Sequence, residues 1–305
     1  AVLRALSAGA PLLSASAVLA GLALLLPWGR PAPGAAPHPR PLSKAGQGLA
    51  WIGCLLALAP GGWLPLLDTF LRLIHRPARP GSQLPQGLDR LRFVLRQAWE
   101  IGAGDAERTV LVGLGTATLA LLLALATAHL LRPVRSRALL GAGAMALALA
   151  FAFPAPLTGI LVLVGLQALG ADTLLDGLGC LILSDLIRFA PLAIALVALG
   201  LRGLPTEPQE AARLAGRSPW RGVILPQLAP VLLVTWALVY VLSATEYAAT
   251  AVVEPPGKQV LALFVVNQAH YGEISELSGM CALLLGAVLW PLPPLAALAY
   301  RLRAP

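Results

Sequence analysis

Residues 109–131 read TVLVGLGTATLALLLALATAHLL, an apolar run with no Asp, Glu, Lys or Arg, and Arg132, Arg135 and Arg137 follow it at once. Roughly twenty such residues, coiled as a helix, cross a hydrocarbon core of about 30 Å, and arginines crowded at one end mark a cytoplasmic flank. The pattern recurs. Runs of Leu, Ala, Val and Ile between charged or Pro-rich loops predict spans at 12–28, 48–70, 109–131, 138–170, 181–201, 224–246 and 278–300. With 58% hydrophobic and 12% charged residues over 305 positions and a mean hydropathy of +0.79, the chain is too apolar for a soluble domain of this length. Closed membrane barrels need strict alternation, which is absent. The predicted class is therefore an all-α, multi-pass integral membrane protein, in contact with membrane lipid.

Charge placement orients it. The loop at 132–137, the loop holding Arg202, Arg213, Arg217 and Arg221, and the end with Arg301 and Arg303 should be cytoplasmic. The loop at 171–180 carries Asp172 and Asp176 with no base, and 247–277 carries Glu254, Glu273 and Glu276 against Lys258, so both should face outward. Residues 138–170 are too long for one perpendicular crossing, and parity of charge on either side makes them one bent span, kinked at Pro154 and Pro156. Segment 71–108 resists the rule, because it must be outside yet holds seven arginines; Leu88, Leu91, Phe93, Leu95 and Trp99 among those bases predict an amphipathic surface helix. The net charge of +8 does not point to nucleic acid, since the bases form no stripe with interleaved aromatics.

The long polar loop in the second half has its own structure. Thr206 and Gln209 stand at capping-box spacing, Pro208 is tolerated in a first turn, and Glu210 lies where a helix N-terminus favours a carboxylate. Ala211, Ala212 and Ala215 leave a face of little bulk, and Gly216 is placed to stop the helix. Ser218-Pro219 reads as the cap and first residue of a second loop helix. A solvated loop helix and a socket for another protein are both consistent with that pattern. In the neighbouring spans, Asp185 and Arg188 are three apart on one helical face, and charges in hydrocarbon are cheapest when paired with each other. Glu246 ends the 224–246 span; it reads either as a carboxylate that attracts a cation at the mouth of a path or as an interfacial glutamate in water.

The string Glu210-Ala211-Ala212-Arg213-Leu214-Ala215-Gly216, followed by Leu225-Pro226, resembles the coupling loop of permeases in binding-protein-dependent ABC importers. Arg188-Phe189-Ala190-Pro191 is similar to a stretch just before that loop in the same family. Ser243-Ala244-Thr245-Glu246, Thr250, Pro255-Pro256-Gly257 and His270-Tyr271-Gly272 look like the iron(III)-type branch, which neighbours the thiamine-type branch. The resemblance covers about 105–300 and implies an importer-type permease fold, a five-helix core preceded by two further transmembrane helices. The division it implies is 1–104, with those two helices, a basic linker and an extracytoplasmic segment, and 105–305, the permease core with its coupling loop at 205–226.

What the resemblance implies about function is specific. Glu210, Ala211, Ala212, Gly216, Leu225 and Pro226 would couple to a separate cytoplasmic ATP-binding subunit, and Asp185, Arg188, Glu246 and Thr250 are candidates for the translocation path. A solute-binding protein would deliver substrate from outside, and a second permease half or subunit would complete the path. The setting would be the bacterial cytoplasmic (inner) membrane. The substrate would be ferric iron, with thiamine or another small solute as the alternative; a membrane assembly protein without transport is a further one. The interval from Gly216 to Leu225-Pro226 is about three residues shorter than in the family, a rotation of about 300° for whatever follows. No phosphate-binding Gly-x-x-x-x-Gly-Lys-Ser/Thr loop, metal-site spacing or catalytic motif is present, so neither an enzyme nor a resident cofactor or metal is expected. Asp185, Arg188 and Glu246 read as too scattered for a membrane enzyme. Parity, with Arg30, Arg40 and Lys44 after the first span, further predicts the C-terminal part of a longer fused permease.

Overall fold

The computed structural model describes residue 71 and residues 87–131, 137–271 and 274–303. The expected spans at 12–28 and 48–70, and the linker between them, lie outside the described residues. The chain divides into two compact units, Ala1–Arg92 and Phe93–Pro305, and the account below is of the second, which α1 enters at Phe93. Among the described residues the structure is all helical, with no strand. Four helices among the described residues are long and apolar enough to cross a membrane, or five when one bent pair is taken together.

The first is α1, Leu88–Leu131. Its N-terminal part does not form the separate surface helix expected from the sequence but runs unbroken into the apolar 109–131 stretch. No proline or glycine stop interrupts it, and Gly102, Gly104, Gly113 and Gly115 are individually tolerated in a helix. Gly113 is needed as glycine for another reason: a Cβ there would lie 2.9 Å from the Tyr240 ring. Below it Ala117, Ala120, Ala124 and Ala128 make a small-residue stripe at helical spacing, fully buried against its neighbours, which lets backbones approach closely where no solvent drives helices together.

Helices α2 (Arg137–Ala152) and α3 (Ala155–Ala168) replace the expected single kinked span, and their axes differ by 92°. The prolines explain a break in place of a kink. Pro154 biases Phe153 away from helical torsions, and Pro154 and Pro156 then occupy the cap and first turn of a new helix, where a missing N–H costs nothing. After the single turn α4 (Asp172–Leu175) comes α5, Gly179–Arg202. Leu147 of α2 packs into the cluster holding Ala193, Ile194 and Val197, and Val162 and Leu166 of α3 into the one holding Cys180 and Leu181. The two pieces thus follow the two halves of α5, as a span broken midway would.

A short α6 (Glu207–Leu214) leads through a π-helical turn, Trp220–Ile224, into α7 (Leu225–Ala244). The expected second loop helix is not a separate element; it opens at Pro219 and is continuous with α7. The chain then forms the turn α8 (Thr250–Val253), α9 (Leu261–Tyr271), α10 (Ile274–Leu289) and α11 (Leu292–Arg303). The expected 247–277 loop therefore contains helix, and the expected 278–300 span is met by Leu277–Leu295, a candidate crossing that turns at Trp290-Pro291 between α10 and α11. Buried Tyr240 ties α7 to α10: its hydroxyl donates to the Ala287 carbonyl at 2.6 Å and accepts from the Trp290 indole N–H at 3.0 Å. Trp236 stacks on the same ring at 5.5 Å and donates to Thr118.

Candidate functional site

Two polar features stand out from this apolar bundle, one on a loop and one inside. On the loop, α6 is held by eight residues and its caps. Glu207 and Glu210 lie in its first turn and Arg213 in its last, each sign matched to the end of the helix it occupies. The C-terminus is a Schellman closure: the Gly216 N–H donates to Arg213 O at 3.0 Å and the Arg217 N–H to Ala212 O at 2.9 Å. Gly216 takes φ +67°, the left-handed value this closure demands. The expected capping box is absent. Thr206 has helical torsions and makes no side-chain cap bond, and the Gln209 amide instead donates to Pro205 O at 2.8 Å, which buries Gln209. Glu210, Ala211, Gly216, Leu225 and Pro226 are exposed and Ala212 half-buried. Leu214 is 91% exposed, an apolar side chain presented on a charged helix.

Inside the bundle, the four candidate path residues come together, contrary to the expectation that three of them are scattered. The expected Asp185–Arg188 pair does not form. Asp185, 2% exposed, accepts from the Ser243 hydroxyl of α7 at 2.5 Å. Arg188 turns the other way, its Nε 3.0 Å from a Glu246 carboxylate oxygen, in an approach that satisfies an ion pair but not an aligned hydrogen bond. Glu246 is not an interfacial group in water: its side chain is 9% exposed against 24% for Arg188. Its other oxygen accepts from the N–H groups of Ala248 and Ala249, while its carbonyl accepts from Thr250. Arg188 also reaches Phe153 O at 3.5 Å, at the break between α2 and α3.

The backbone explains how Glu246 gets there. Helices α5 and α7 pack closely and the loop at their Arg202 and Leu225 ends makes them antiparallel. Continuing α7 beyond Ser243 would carry residue 246 past Asp185 toward the Gly179 end of α5. Instead α7 stops at Ala244 and the chain folds back, so that Glu246 meets Arg188, deeper along α5 than Asp185. About 21 Å of helix separates Arg188 from Arg202. The guanidinium thus sits where two helices end, α2 at Phe153 and α7 at Ala244, and helix C-termini favour a cation. Losing one partner of a fully desolvated pair costs about 3–5 kcal/mol; here the cost is lower, since 24% of the Arg188 side chain stays accessible.

Beside this junction a cavity of about 10 Å³, room for about one water, is lined by Asp185, Ser243, Thr250 and Thr109. Thr109 is a cap supplied across the bundle. Its hydroxyl accepts from the first N–H of α9, Leu261, at 2.8 Å and donates to Asp105 O at 2.8 Å. Above it the Pro255-Pro256-Gly257 turn closes with Lys258 N–H to Pro255 O at 3.0 Å, Gly257 at φ +71°. Arg108, paired with Asp105 at 2.9 Å, donates to Gly257 O, and Lys258 donates to Asp176 O. Glu254 beside them has its carboxyl pushed above the usual range, first by burial, then by nearby Asp105, with Arg108 opposing. Neither Thr109 nor Asp105 was singled out by sequence; Thr109 is a single polar residue whose partner Leu261 lies far along the chain, and Asp105 pairs with Arg108 three residues on. Among the described residues no group of three or more potential metal ligands gathers. No family model matches the chain, and no curated protein matches it.

Proposed function

We propose that the chain is the transmembrane permease component of a binding-protein-dependent ABC importer, and that α6 is the element through which it couples to a separate cytoplasmic ATPase. The observation that carries this reading is the α6 loop. A capped eight-residue helix, exposing Leu214 and the small Ala211, joins the inner ends of α5 and α7. A loop meant only to connect two spans needs neither a helix with its own stop nor an exposed leucine. Its arginines, Arg202, Arg213, Arg217 and Arg221, support a cytoplasmic location for it, on the side where ATP is.

In this reading closure of the ATPase pushes on α6 and tilts α5 with α7, so that the polar junction around Asp185, Arg188, Glu246 and Thr250 is exposed alternately to either side. The shortened interval after Gly216 is compatible with it, since the π-helical turn at Trp220–Ile224 lets Leu225-Pro226 continue straight into α7. The finer proposal is a bacterial inner-membrane system for ferric iron, with thiamine or another small solute as the alternative. Glu246 is matched by Arg188, so attraction of a cation falls to the outer carboxylates Asp172, Asp176 and Glu254. Reconstitution with its ATPase and binding protein tests the reading. Loaded binding protein should stimulate ATP hydrolysis and drive uptake of iron; hydrolysis that ignores this chain sinks the permease reading, and uptake of thiamine alone sinks the iron branch.

A further inference from the structure

We infer that Arg188 is a two-position latch between α5 and α7, closed in this structure on Glu246 and closing on Asp185 when the end of α7 withdraws. The inference deepens the permease reading and rests on it only for the meaning of the motion, because α5 and α7 are the helices that the α6 loop joins.

Two cross-links hold the far ends of these helices. Asp185 takes the Ser243 hydroxyl, and Arg188 takes Glu246. They differ in kind. Ser243 lies on helical α7, so the first moves only with the helix. Glu246 lies beyond the helix, on a fold-back whose shape its own carboxylate maintains by accepting from Ala248 and Ala249 at 2.9 and 3.1 Å. Release of Arg188 therefore frees the carboxylate that holds the fold-back, and the segment to Thr250 loses its anchor. A guanidinium left in this desolvated setting needs another anion. Asp185 is one turn away on the same face of α5, buried, and in no ion pair with Arg188 here. Among the described residues the remaining polar groups at the junction are Ser243, Thr250, Thr109 and the Phe153 carbonyl, none of which carries a charge to compete for Arg188. Phe153 O lies at the α2–α3 break, so the same side chain senses that hinge as well.

Ala249, fully buried directly behind Glu246, reports the state of the latch. In full-length protein in membranes, with Cys54, Cys180 and Cys281 replaced by alanine, Ala249→Cys is labelled with a membrane-impermeant maleimide. Arg188→Gln and Glu246→Gln should each raise the labelling rate about tenfold, and combining them should raise it no further. Arg188→Lys and Glu246→Asp, which keep both charges and the carboxylate acceptor, should label at rates between the parent and the glutamine variants. Asp185→Asn, which removes the second position, should lower it below the parent. Unchanged labelling in the single variants, or additive effects in the double, overturns the latch, and parental labelling in Asp185→Asn overturns its second position. If either glutamine variant does not accumulate, labelling above the parent in Arg188→Lys or Glu246→Asp supports the latch, and parental labelling in both overturns it. No ATPase or substrate enters the measurement, so these outcomes are independent of whether the chain is a permease.

Discussion

Replacing Gly216 separates the backbone of the α6 loop from its contacts. A Cβ built on Gly216 meets nothing within 4 Å, so a side chain there collides with no neighbour, and the whole penalty comes from φ +67°. For an L residue the left-handed conformation costs roughly 1–2 kcal/mol, with a β-branched side chain at the upper end and asparagine well below it. Relaxing that strain means giving up the bonds from Gly216 to Arg213 and from Arg217 to Ala212. An eight-residue helix has little else to hold its last turn. Gly216→Val should therefore shift the closed-to-frayed ratio by a factor of about 5–30, while Gly216→Asn stays close to the parent. Amide exchange over residues 207–217 in the purified protein reads the first effect, and ATP hydrolysis stimulated by loaded binding protein reads the second. Valine and asparagine variants with equal exchange, or a valine variant with fast exchange and undiminished stimulation, would refute the reasoning.

Glu254 gives a pH dependence with a definite sign. Its carboxyl is raised in the fold, so the neutral form is favoured there, and the stability it contributes is present at low pH and lost as pH rises from 4.5 through the raised value. Glu254→Gln should flatten that part of the curve of unfolding temperature against pH, whereas an unaltered slope assigns it to other groups. Thr109→Val keeps the volume but leaves the first N–H of α9 without its acceptor, at a cost of about 1–2 kcal/mol, and amide exchange at Leu261 should quicken at least fivefold. Tyr240→Phe leaves the Ala287 carbonyl and the Trp290 indole unmatched; interhelical bonds of this kind average about 0.6 kcal/mol, so a small drop in unfolding temperature is expected, and none at all would mean both groups find new partners.

The apolar runs made the transmembrane class and most span positions legible, because long uncharged stretches have few other uses. Gly216 was equally legible as a stop, since left-handed torsions at a helix end favour glycine. Elsewhere local arithmetic misled. Asp185 and Arg188 share a helical face, yet the partner of each is on or beyond α7, brought there by a fold-back after Ala244 that no spacing rule announces. Pro154 and Pro156 read as a kink because a proline inside an apolar run bends a helix; two of them, one residue apart, start a new helix instead. The capping box at Thr206 failed for a similar reason, with Gln209 satisfying Pro205 O once Thr206 had itself turned helical.

The central claim is that α6 docks into an ATPase, and Leu214, 91% exposed at its end, is the place to ask. A photo-crosslinking benzophenone amino acid at position 214, activated in native membranes, should capture a nucleotide-binding ATPase subunit, identified by mass spectrometry of the adduct, with the adduct lost in Gly216→Val. Adducts to lipid alone, or to a protein with no ATP-binding motif, would contradict the account.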